Sequence, residues 1–125
     1  MSLTKFGIAV REYRRQLGLT LSTMAASLST SPAFLSAMET GRSKIPMEWV
    51  EKISEYFAVK GIPVKTRDLK ALACEDNESV SLEGLPQHHK MLIAGFANSD
   101  LTQEQLANFG KLLAEIYEEK PKDDR

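Results

Sequence analysis

A chain of 125 residues with 42% apolar and 26% charged side chains has the makeup of an ordinary folded protein. It is long enough for one compact domain, or for a domain of about 65 residues with an appendage. No run of about 18 consecutive apolar residues occurs, which excludes a membrane-spanning helix. The opening Met1-Ser2-Leu3-Thr4-Lys5-Phe6 lacks the apolar core of a secretion signal. The net charge of −1 hides an asymmetry: residues 1–65 hold nine Lys/Arg against five acids, residues 66–125 seven against twelve. A polyanion-binding head on an acidic body has this distribution, and so does a chance split in a short chain.

In chain order, Phe6, Val10, Tyr13 and Leu17 step by four, three and four, which predicts a helix from Thr4 to Leu17 ended by Gly18. A short second helix is expected over Leu21 to Leu28, with Met24, Ala25 and Leu28 inward. Ser31-Pro32 opens a third, because serine caps a helix and proline is best tolerated at its first position. Its inward residues are Leu35, Met38 and Phe34, and Gly41 stops it. A fourth helix begins at Pro46 and carries Trp49, Val50, Ile53, Tyr56 and Phe57 to Gly61.

Beyond Gly61 the pattern predicts a short helix or connector over 66–75 with Leu69 and Leu72 buried, then an acidic loop over 76–85. A helix from Pro86 to Asn98 follows. The last helix opens with a capping box, Thr102 and Gln105, and carries Leu106, Phe109, Leu113 and Ile116 at helical spacing. Residues 121–125 form a charged, disordered tail in this reading.

Two short helices joined by a tight turn, with small Ala25 at their crossing and Ser31 capping the second, describe a helix-turn-helix between Leu19 and Gly41. Here the chain resembles the Cro/phage-repressor type of regulator, also called xenobiotic-response-element-like. The resemblance lies in Arg14, Leu17-Gly18-Leu19-Thr20, Met24-Ala25, Leu28 and Ser31-Pro32-Ala33-Phe34-Leu35-Ser36. It continues through Glu39-Thr40-Gly41-Arg42 and Ile45-Pro46, and covers residues 4–60. It implies an all-α, lambda-repressor-like five-helix DNA-binding domain, placed at residues 1–65, in a bacterial, phage or plasmid regulator. The helix opened by Ser31 would enter the major groove, with Ser31, Pro32, Ala33, Phe34, Ser36, Ala37 and Thr40 as its DNA-facing set. Thr20, Ser22, Arg11, Arg15, Arg42, Ser43 and Lys44 are the candidate phosphate ligands. The resemblance further implies a structural ion pair between Arg14 and Glu39.

The departures are as informative. Leu21 stands where many such regulators carry a phosphate-holding glutamine, leaving Thr20 and Ser22 nearest that role. Pro32, Ala33 and Ala37 replace long polar side chains, so no bidentate contact to guanine or adenine is available from those positions. Binding with a large phosphate and shape component is expected.

The remaining features exclude other chemistry. His88-His89 are adjacent, about 100° apart on a helix, rather than at metal-binding i, i+4 spacing, and no metal or other cofactor is expected. Cys74, the only cysteine, rules out an internal disulfide; it fits a reducing cytoplasm and reads as a small buried hydrophobe. Neither a glycine-rich phosphate loop nor a nucleophile–base pair occurs, so no enzyme is expected. On the last helix Leu106, Phe109, Leu112, Leu113, Ile116 and Tyr117 make a face wider than one partner helix needs. Residues 86–120 are therefore expected to form a helical hairpin that serves as a dimerisation extension. The partners expected are double-stranded DNA and a second copy of the chain, with a protein such as a toxin as a further candidate and no membrane. An autoregulating antitoxin or a phage or plasmid regulator fits this outline, and so does an interaction module that has lost DNA binding.

Overall fold

Helix α1 (Lys5–Leu17) is capped at both ends by its own sequence. The Thr4 hydroxyl accepts a hydrogen bond from Gly7 N–H, and Gly18 takes the left-handed conformation at φ 67°, donating its N–H to the Arg15 carbonyl. A computed structural model describes residues 2–119 of the chain. Among them it contains seven helices and no strand: α1, α2 (Leu21–Ser27), α3 (Pro32–Glu39), α4 (Met47–Val59), α5 (Thr66–Asn77), α6 (Gln87–Ala97) and α7 (Gln103–Glu119). The chain divides between Ser81 and Leu82 into two compact units. The expected tail over 121–125 lies outside the described residues.

The first unit holds α1–α5 around one apolar core. Phe6 and Val10 of α1, Met24 and Ala25 of α2, and Leu35 and Met38 of α3 are closed from water together with Val50, Ile53 and Phe57 of α4. Tyr13 and Phe57 meet at 5.2 Å between ring centroids, and Phe34 meets Trp49 edge-on at 4.9 Å. Each inward residue follows from the three- and four-residue spacing of its helix.

Helix α5 extends the sequence reading in two ways. It packs on α1 and α4 and supplies Leu69 and Ala73 to the core, so the first unit runs beyond the boundary drawn at residue 65. It also continues to Asn77, through residues assigned to the acidic loop. The reason is tertiary: the Asp76 carboxylate accepts from the backbone N–H groups of Lys5 (3.2 Å) and Phe6 (2.8 Å), which open α1. Asn77 is bonded to residue 45, so its last turn is held by partners that local patterning does not reveal. Leu72 and Cys74 are half-buried rather than enclosed.

The second unit, from Leu82, contains α6 and α7. Thr102 and Gln105 exchange side-chain-to-backbone bonds at 2.9 and 3.1 Å, the reciprocal cap the sequence predicts. Phe96 and Phe109 touch edge to face at 5.0 Å. Among its described residues none is buried. Met91, Leu92, Leu106, Leu112, Leu113 and Ile116 each leave about half their surface in water, while Tyr117 is half-covered.

Candidate nucleic-acid interface

The geometry of the candidate site begins at the turn between α2 and α3. Ser31 adopts an extended backbone and its hydroxyl accepts from Phe34 N–H at 3.1 Å, with Pro32 at the first helical position. Ser31, Pro32 and Ala33 are exposed, so the first turn of α3 faces solvent with the positive end of its dipole. Ser36, Ala37 and Thr40 are half-exposed. Phe34 differs: it is half-exposed and its ring also packs edge-on against Trp49 at the margin of the core.

Behind α3 sits a buried ion pair. Arg14 Nη1 and Nη2 bond Glu39 Oε2 and Oε1 at 2.6 and 3.0 Å, with 6% and 3% of the two residues exposed. The guanidinium and carboxylate planes match as a fork. Glu39 therefore fixes the end of α3 to α1, and Arg14 is not available to an outside anion. The same junction explains Gly7. A Cβ there would overlap the Glu39 backbone carbonyl, which also accepts from the Thr4 N–H (2.9 Å) and hydroxyl (3.0 Å). The opening turn of α1 thus carries the last turn of α3.

The basic candidates fall into three environments. Arg11 and Arg15 flank a groove of about 600 Å³ between α1 and the start of α2, whose wall includes Leu19, Leu21 and the exposed Ile8. Arg11 stands 3.9 Å from Glu39, whereas Arg15 is gripped by Glu12 through its Nε and Nη2. That grip holds the Glu12 carboxyl down to about 2. Thr20 caps α2 by accepting from Thr23 N–H at 3.0 Å, and Ser22 is exposed beside it.

Arg42 folds back onto α3. Its Nε donates to the Thr40 hydroxyl at 3.3 Å and its Nη2 to the Ser36 hydroxyl at 3.4 Å. Lys44 instead donates its ammonium to the Asn77 carbonyl, at the negative end of α5, with Ser43 exposed between the two. Asn77 also clamps the backbone of Ile45 from both sides, accepting from its N–H at 2.8 Å and donating to its carbonyl at 2.9 Å. Nothing in the local residue pattern marks this clamp. For Gly7 the only signal was its cost: a glycine inside a helical pattern is less stable than alanine by about 1 kcal/mol, which a close packing contact can offset.

A helix-turn-helix domain family matches residues 5–73, more than half of the chain, and the chain belongs to that family. No curated protein and no solved structure matches it.

Proposed function

We propose that the chain is a sequence-specific, double-stranded-DNA-binding transcriptional regulator of the Cro/phage-repressor type. In this reading the first unit is a lambda-repressor-like five-helix domain whose α3 enters the major groove. The observation that carries it is the exposed, Ser31-capped first turn of α3, braced from behind by the Arg14–Glu39 pair. A capped helix start offers free N–H groups and positive potential to a polyanion, and the brace holds it at a fixed angle for docking. In this reading Arg11, Ser22, Thr20 and Ser43 are the groups that would meet phosphates, with Arg15 held back by Glu12.

The half-exposed apolar residues of α6 and α7 support pairing of two chains through residues 86–120. A twofold dimer sets two recognition helices about 34–36 Å apart, so the operator would be a near-palindrome. Repression by promoter occupancy in the cytoplasm, as in an autoregulating antitoxin or a phage or plasmid regulator, follows as the simplest mode of action without catalysis or cofactor. A second reading, a protein-docking module, draws on the small apolar side chains of Pro32, Ala33 and Ala37 on α3.

In-vitro selection from a random duplex library tests both readings. The regulator recovers a two-fold symmetric site and binds it with a steep salt dependence, about 0.9 in log–log slope per phosphate neutralised. No preference for any duplex over the starting pool would sink it in favour of the docking module.

A further inference from the structure

A bidentate contact to guanine or adenine needs a long polar side chain at the groove floor, and α3 carries none on its outward face. Ala33, Ser36, Ala37 and Thr40, at helical spacing along that face, are all small. Arg42 comes from outside the helix to occupy the gap. Its backbone is latched, with Arg42 N–H donating to the Ala37 carbonyl at 2.9 Å and Ser43 N–H to the same oxygen at 3.3 Å. Gly41, at φ 80°, turns the chain to permit this. The guanidinium then lies against Ser36 and Thr40. Thr40 directs its own hydroxyl proton to the Ser36 carbonyl at 2.8 Å, which leaves its lone pairs free to accept from Arg42 Nε.

We infer that Arg42, although it follows the recognition helix in sequence, is the specificity-determining residue of this motif, reading guanine, with Ser36 and Thr40 as its positioning residues. This rests on the DNA-binding reading above. A guanidinium has five N–H donors. The two helix contacts use one on Nε and one on Nη2, so both on Nη1 and one on Nη2 remain. A bidentate contact to guanine O6 and N7 requires two of these. Of the other cations, Arg14 is buried against Glu39, Arg15 is held by Glu12 and Lys44 by Asn77, while Arg11 stands on α1, 3.9 Å from Glu39, rather than on the outward face of α3. A side chain that served only as a phosphate tether would have no need of two hydroxyls on the recognition helix. The small residues around them leave the guanidinium room to move with α3 to the base edges.

The test is selection from a random duplex library with the full chain, its Arg42→Ala and Arg42→Lys variants, and the charge-preserving double variant Ser36→Ala/Thr40→Val. Salt titration on the selected site accompanies it, and thermal melting checks that each variant is folded. Wild type is expected to recover a guanine at one position per half-site. Arg42→Ala loses the preference at that base pair alone by about 5- to 150-fold. Arg42→Lys does not restore it, because an ammonium lacks the fork. The double variant weakens the same position with the salt slope unchanged, which a merely structural role would not do. Equal weakening on every duplex by Arg42→Ala, with a slope smaller by about one, would make Arg42 a phosphate ligand and overturn the inference. A wild-type chain that selects no sequence defeats the regulator reading itself, an outcome visible before any variant is compared.

Discussion

Arg15 shows how one side chain's partner decides its availability to DNA. The Glu12 carboxylate accepts from it at Nε and Nη2, and this bond is the main reason the Glu12 carboxyl titrates at about 2. A carboxyl lowered in the folded chain adds stability above its unfolded pKa and loses it as pH falls toward the folded value. Arg15 therefore stays engaged from neutral pH down toward about 2, and because the pair is largely exposed its effect on stability is small. Its effect on binding is not. Glu12→Gln is expected to release Arg15 and remove a repelling charge, tightening DNA binding at low salt and steepening the log-salt slope by about one. An unchanged slope would show that Arg15 faces away from the duplex. Ser29, in the turn between α2 and α3, holds a left-handed φ of 57° without the freedom of glycine. Ser29→Gly should relieve about 1 kcal/mol of this strain and raise the melting temperature by about 4–8 °C. Loss of stability would mean that the serine hydroxyl contributes more than its backbone costs.

Among the elements, α1–α4 were legible because their signals are local. Phe6, Val10, Tyr13 and Leu17 mark a face, and Ser31-Pro32 mark a start, without reference to any distant residue. The candidate site was legible to the same depth: the capped start of α3 was, and the pairing of Arg14 with Glu39 came only by resemblance. Phe34 stands in both the expected core and the expected groove face; it packs edge-on against Trp49 and stays partly exposed. What stayed hidden depends on partners far along the chain. Asp76 and Asn77 look like linker polarity, yet their partners are the backbones of Lys5, Phe6 and Ile45, which leave no pattern of their own. Two consequences can be measured. Asn77→Ala removes both bonds to Ile45 and should cost about 2 kcal/mol in chemical unfolding. An effect below about 0.5 kcal/mol would mean that water replaces the clamp. Gly7→Ala drives a methyl into the Glu39 carbonyl, and α1 and α3 must part; a loss of about 3 kcal/mol is expected, whereas a neutral result would show that the junction slides freely.

For the whole molecule, the contrast between the units sets expectations. The first encloses Phe6, Met24, Leu35, Phe57 and their neighbours, whereas the second encloses no described residue. The second unit, Leu82–Arg125, lies well below the roughly 70–80 residues at which a single core suffices, and units of that size draw on oligomerisation or other staples. If the chain pairs as proposed, Leu113→Asp or Ile116→Asp should lower its sedimenting mass from dimer to monomer, with the melting transition of the first unit retained. A variant that keeps the mass of wild type would remove α7 from the interface.

Because no described residue of the second unit is buried, a chain left unpaired under the proposed dimer would open there at little free-energy cost. Proteases attack such openings in proportion to how often they occur. Dilution would thus shorten the chain's lifetime, with nicks gathering beyond Ser81, while the helices that precede it survive as a resistant remnant.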